Sequence, residues 1–260
     1  MTPARRERAP GWTPSQHGAW AMLLLPPTAG IVLAGVAWVH LPLTLFWLVG
    51  YLAFHATGRW LRARRRRRHL PPVLTYLAIA SPLGLTTLLA APHLARWLPA
   101  FLPLLAASLW WTFHGAERSL RNDAVTVVAA CLMAPVAFDA GGGGEAAGSW
   151  AALWVATGVL TAYFLGTVLY VKTMIRERGR RPYVLASVGY HAAGLLGAVW
   201  LAAAGRQGWG LVAVWGVLVA RAFIGPAVNA RRARPLRPVV VGVGEIVASA
   251  GVLVVTLVGT

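Results

Sequence analysis

Apolar runs alternate with short polar breaks along the whole chain. Nine of them lie near residues 19–39, 42–58, 73–91, 97–114, 122–139, 150–171, 183–204, 208–228 and 239–259. Each approaches the ~20 residues needed to cross a hydrocarbon core. Proline and glycine mark several breaks, at Pro42, Pro71-Pro72, Pro92 and Gly141 to Gly144. The pattern predicts an all-α, polytopic transmembrane helical bundle of about nine spans. Two spans leave alternatives open. The first contains Pro26-Pro27 and reads either as a kinked crossing or as a partly re-entrant segment, and the fourth is short for a straight crossing. Residues 1–18 read as a basic tail and entrance segment, and 19–260 as a single transmembrane domain.

Composition excludes a water-soluble domain. Of 260 residues, 58% are hydrophobic and 12% charged, whereas soluble chains carry about a quarter charged residues. The net charge of +17 does not point to nucleic acid, because the basic residues sit in short loops between apolar runs. There they act as topology determinants and contacts for anionic lipid. The expected partner is therefore the bilayer with its anionic lipids. Cys131 is the only cysteine and lies in an apolar run, so neither a disulfide framework nor a cysteine metal site is expected. The first apolar stretch lacks a small-residue cleavage site and is followed by further spans, so no cleavable signal peptide is expected.

Charge then orients the chain. With a cytoplasmic N-terminus, 21 of the 24 basic residues fall on the inner side. Arg96 and Arg206 fall outside, and Arg221 lies within the eighth span near its inner end. The positive-inside asymmetry predicts an inner N-terminus and an outer C-terminus.

With this topology the unusual polar residues share the cytoplasmic side. QHG at 16–18 opens the first span, HGAERSLRNDAV at 114–125 turns between spans four and five, YVKTMIRERG at 170–179 ends span six, and GYH at 189–191 lies about two turns inside span seven from the same face. Glu117 with Arg121, Arg118 with Asn122, Lys172 with Arg176 and Thr173 with Glu177 are each four residues apart, a spacing that suits pairing on a helix face. The blander reading of the first turn is a solvated loop in which Asn122 or Asp123 caps the next helix. Lys172 and Arg176 are like charges on one face and call for an anion, which either a bound ligand or lipid phosphate supplies. His191, beside Tyr190, lies deeper than a snorkelling side chain requires. It reads either as a histidine bonded to a neighbouring helix or as a ligand contact or proton carrier. Gln16 and His17 read either as the edge of a lid over the inner mouth or as water-facing residues at a helix start.

No zinc-protease motif, phosphate loop, Ser-His-Asp arrangement or cysteine ligand set is present. Histidine pairs among His17, His55, His114 and His191 leave haem open, and no cofactor is assigned.

QHGAWAM at 16–22, ERSLRND at 117–123 and YVKTMIRERG at 170–179 together resemble the YwiC-like family of bacterial integral membrane proteins, over most of the chain. That resemblance implies a multi-pass protein of the bacterial inner (cell) membrane and no established activity. More distantly, nine helices with polar inner loops are similar to the UbiA prenyltransferase superfamily, which implies a UbiA-like bundle. The aspartate-rich magnesium motifs of that superfamily are missing here: the loop after span two has no acid, and the loop after span six has only Glu177.

Three readings follow. In the first, Gln16, His17, Glu117, Arg118, Arg121, Asn122, Asp123, Lys172, Arg176, Glu177, Tyr190 and His191 line a substrate site for an amphipathic anion such as a lipid phosphate or isoprenoid diphosphate. In the second they serve a small-anion transporter. In the third they staple helices in a non-catalytic assembly or partner-binding protein. Whether the chain is an enzyme stays open.

Overall fold

The computed structural model of the protein describes residues 12–14, 19–142, 149–234 and 236–260. Among them every regular element is helical. In chain order these are α1 (Ala19–Ala34), α2 (His40–Arg62), α3 (Leu70–Ala90), α4 (Leu98–Phe113), α5 (Leu120–Cys131), α6 (Met133–Ala140), α7 (Trp150–Met174), α8 (Arg181–Ala203), α9 (Trp209–Arg231) and α10 (Pro238–Gly259). Among the described residues eight stretches are long and apolar enough to cross a membrane, with Leu120–Ala140 counted as one and α1 as a shorter ninth apolar helix. The protein is a multi-pass membrane protein. The exposed large side chains agree with lipid contact: Leu89, Leu185, Leu196 and Val247 stand open on helices that water would not tolerate in such numbers.

Two of the sequence expectations sharpen here. The first span ends at Ala34 rather than near residue 39, where Gly35 takes a left-handed conformation (φ +83°) that stops the helix. Its 16 residues rise only about 24 Å at 1.5 Å per residue, and Pro26 and Pro27 are buried inside it. The fifth span is interrupted at Leu132. Pro135 has no N–H to give the Cys131 carbonyl, so the ladder breaks one turn before the proline.

The chain divides into two compact units. The first holds α2, α3 and α4, with α2 packed on both α3 and α4. The Tyr76 hydroxyl donates to the Trp12 carbonyl (2.6 Å), which ties residue 12 to α3. The second holds α1 and the chain from Asp123 onward. Its core gathers Leu160, Tyr163, Leu211, Trp215 and Val252 from α7, α9 and α10. The whole of α6 is buried, and α1 lies along it.

Gly30 sets the α1–α6 approach. A Cβ there would stand 2.1 Å from the Ala134 carbonyl oxygen, a backbone atom that cannot swing aside, as small residues permit elsewhere between membrane helices. Gly50 on α2 faces open space. Gly30→Ala is therefore expected to lower stability by roughly 1–3 kcal/mol or more, as overpacking does, while Gly50→Ala leaves it level or slightly raised. Thermal unfolding of both variants in detergent checks this, and equal midpoints would remove Gly30 from its role.

Candidate functional site

The turn that closes the first unit is built on Ser119. Its hydroxyl accepts from the Asn122 N–H (3.2 Å) and caps the start of α5, a role that sequence spacing offered to Asn122 or Asp123. Asn122 is buried instead and turns its Nδ2 back to the Glu117 carbonyl (2.7 Å). Because the helix starts only at Leu120, Glu117 cannot use the helical spacing to Arg121. Its carboxylate accepts from Arg62 at the end of α2, and Arg118 Nε lies 3.8 Å away. Arg121 is exposed.

Beside this ion pair the chain leaves α2 through Arg64 and Arg65, whose φ angles of 53° and 58° lie in the left-handed region. For residues with a Cβ this conformation costs about 1–3 kcal/mol each. A cavity of about 520 Å³ opens there, lined by Leu61, Arg62, Arg64, Arg65, Thr112, Phe113 and Gly115. The Arg65 guanidinium stands 5.6 Å from the centre of the Phe113 ring. Deeper on α2 and at the start of α3, the buried atoms His55 Nε2, Arg59 Nε and His69 Nδ1 have no hydrogen-bond partner.

The second unit answers the anion demand of Lys172 internally. Lys172 Nζ meets the Asp123 carboxylate at 2.8 Å, a pairing 49 positions apart that no spacing rule reveals. Arg176 stands exposed past the end of α7, and Thr173 donates to the Tyr170 carbonyl (2.6 Å) rather than approaching Glu177. Glu177 accepts from Arg180 (2.6 Å), and that hydrogen bond and charge push the Arg180 guanidinium further above its already high ordinary value. His191 is fully buried on α8 and bonds its own helix, Nδ1 to the Ser187 carbonyl (2.7 Å), not a neighbour. The Tyr190 hydroxyl donates across to the Ala162 carbonyl of α7 (3.1 Å). Gln16 and His17, with Gly18, lie outside the described residues. The pairings divide between the two units: Glu117, Arg118, Arg121 and Asn122 belong to the first, and Asp123, Lys172, Arg176, Glu177, Tyr190 and His191 to the second.

Asn229 and Arg178 form a clamp in the second unit. Buried Asn229 donates to the Met174 carbonyl (2.8 Å) and accepts from the Leu236 N–H (3.1 Å). Arg178 Nη2 donates to the carbonyls of Asn229 (2.7 Å) and Arg232 (2.8 Å) at the end of α9.

The largest departure from the sequence reading lies deeper. Glu245 of α10 is buried and accepts from Arg221 of α9. Thr167 of α7 donates to its other oxygen (3.1 Å), with the Tyr163 hydroxyl at 3.4 Å. Tyr163 and Ser249 share a hydrogen bond (3.1 Å). The Arg221 guanidinium lies over the Tyr170 ring, 4.2 Å from its centre. At 1.5 Å per residue, Glu245 is about 10 Å and Arg221 about 15 Å from the basic ends of their helices. A charge at such depth is costly and marks a functional site by default. The sequence expectation keeps Arg221 within the eighth span near its inner end and assigns no role to Glu245. The signal available was an acid inside a 20-residue apolar run.

Among the described residues no group of three or more His, Cys, Asp or Glu side chains is arranged to hold a metal ion.

A family model described as "YwiC-like protein" matches residues 13–138, a stretch that includes the Glu117–Asp123 turn and stops before Lys172, Arg221 and Glu245. The chain is 30% identical over 203 residues to a Bacillus subtilis protein named "Uncharacterized protein YwiC", covering 72% of this chain and 79% of that one. It is also 30% identical over 179 residues to an uncharacterized protein of Haemophilus influenzae, covering 68% and 73%. No solved structure matches the chain.

The intramembrane pair makes a stability prediction. Removing one partner leaves an uncompensated buried charge, so Glu245→Ala or Arg221→Ala is expected to cost about 3–5 kcal/mol. The double variant Arg221→Met with Glu245→Leu should cost markedly less than the sum of the two single changes. Unfolding midpoints for the four proteins in one detergent measure the coupling, and additive losses would show that the two charges do not depend on each other.

Proposed function

The chain belongs to the YwiC-like family, and from that premise we propose that it binds an amphipathic substrate with an anionic head at the cytoplasmic surface of the bacterial cell membrane. The cavity at the end of α2 carries the reading. Its lining combines three arginines with Leu61, Thr112 and Phe113, the combination that a phosphate or diphosphate head followed by a hydrocarbon tail requires. Guanidinium groups grip such heads through paired hydrogen bonds. Glu117 fixes Arg62 in place, and Arg64 and Arg65 line the same cavity from a left-handed turn, strain of the kind that accompanies ligand sites. Of the residues singled out by sequence, Arg118 and Arg121 sit in the same unit and extend the positive field. Lys172 with Asp123 and Glu177 with Arg180 are matched pairs that serve the second unit.

Orientation follows from charge: the arginine-rich ends face the cytoplasm, and the anionic inner leaflet adds to their hold. Reporters fused after residues 68, 180 and 234 should report cytoplasm, and fusions near 142 and 206 the outside. A cytoplasmic report near 142 would overturn the topology.

The site is tested by Arg64→Gly with Arg65→Gly, a pair that removes both cations while suiting the left-handed backbone. Thermal unfolding in uncharged detergent is followed against increasing concentrations of a long-chain alkyl phosphate. Wild type should gain stability in a saturable way. The double variant should fold at least as well and bind the phosphate at least tenfold more weakly, since hydrogen bonds to charged groups contribute about 1.5–3 kcal/mol each. Equal affinities would sink the assignment. Mass spectrometry of lipids carried through purification identifies the native head group.

A further inference from the structure

We propose that the second unit carries its own oxyanion site within the membrane thickness, on the unoccupied edge of Arg221. A guanidinium offers two kinds of edge to an oxygen pair, and the side-on edge formed by Nε and one terminal nitrogen matches a carboxylate or phosphate. In Arg221 the far nitrogen, Nη1, is taken by Glu245. Nε and Nη2, which make up the side-on fork, are both buried and have no partner. The ring of Tyr170 covers one face of the guanidinium, so its plane is held by the ring and its corner by the carboxylate. The remaining edge is preorganised, with two parallel donors and nothing to receive them.

The neighbouring helix repeats the deficit. On α8, packed directly against α9, His191 Nε2 and Ser187 Oγ are also buried without partners. His191 is 1% exposed and Ser187 wholly covered. Each unsatisfied polar atom in a hydrocarbon surround costs several kcal/mol, and a native interior leaves few of them. The two guanidinium donors call for an acceptor pair, whereas His191 Nε2, whose Nδ1 donates to the Ser187 carbonyl, offers a lone pair that a protonated oxygen of the same guest would meet. Glycine stands where these groups need room: Gly225 beside the Tyr170 hydroxyl and Gly166 beside His191 Nε2.

The ligand class is an anion with two coplanar oxygens, as in a carboxylate or a phosphate. A free small anion and the head of a single-chain lipid present the same chemistry. Glu245 competes with either, since it already neutralises the same cation, so anion binding is weakened by its charge. This site is independent of the groove on α2 and does not require that reading.

The full chain in uncharged detergent is titrated with inorganic phosphate, with acetate and with submicellar myristate, following the unfolding midpoint. A saturable rise is expected with at least one of them: with phosphate or acetate if the guest is a free anion, with myristate alone if it is a lipid head. Arg221→Lys keeps the positive charge for Glu245 but has no fork, and the rise should vanish. Glu245→Gln removes the competing charge and should tighten half-saturation by about tenfold or more. Should Arg221→Lys fail to fold, Glu245→Gln decides alone. Arg64→Gly with Arg65→Gly tells the two sites apart. A rise lost in that variant and kept in Arg221→Lys would place the anion in the groove and overturn this proposal, leaving the first intact. No saturable rise in wild type, or half-saturation unchanged in Glu245→Gln, would also overturn it.

Discussion

A full charge in the thickness of a bilayer is tolerated only with a partner beside it, and the second unit is organised around that constraint. Arg221 and Glu245 occupy adjacent helices at similar depth. The carboxylate draws in Thr167 and Tyr163 from a third helix, and Tyr163 in turn holds Ser249. The cation recruits the Tyr170 ring from that same helix. Three helices are thus fixed to one another by groups that water would otherwise satisfy. Apolar packing in lipid supplies closeness but little register, because hydrocarbon tails are as apolar as leucine. Polar contacts set the register here, and the leucines and valines around them fill the space that remains.

The first unit handles its charge differently. The arginines of its cavity gather at the end of α2, with Glu117 placed to hold Arg62. The surplus positive charge stands beside the apolar side chains of Leu61 and Phe113. The second unit therefore neutralises its deepest charges within the helices, and the first presents its surplus at a helix end.

The helical bundle was legible in the sequence because a run of about twenty apolar residues has few alternatives in lipid. Its breaks were legible wherever proline or glycine enforced them. The interruption at Leu132 was not, since Pro135 sits within an apolar run that reads as continuous. Partners were the least visible. Spacing rules along one helix suggested Arg176 for Lys172 and Arg121 for Glu117, but both helices begin or end inside those intervals. The partners that the fold supplies, Asp123 and Arg62, come from other segments. Glu245 shows the same limit from the other side. As a single acid in a long apolar run it carried a clear local signal, but its partner on the preceding helix was a matter of packing. The family resemblance is borne out, with QHGAWAM and ERSLRND inside the matched residues 13–138 and YVKTMIRERG beyond them, and it left activity open because the relatives are themselves uncharacterised in name.

The clamp of Asn229 and Arg178 bears on how this protein meets membranes of different thickness. The last carbonyls of a helix have no partner within it and ordinarily seek water or head groups. At the end of α9 two of them, with that of Arg232, receive Arg178 instead, and Asn229 binds the end of α7 to the turn before α10. The three helix ends therefore share one level, set by protein and not by the lipid around them. When the bilayer is thinner or thicker than the unit, α9 cannot tilt or slide alone to follow it. The mismatch falls on the lipid, which must stretch or compress around a rim of fixed height.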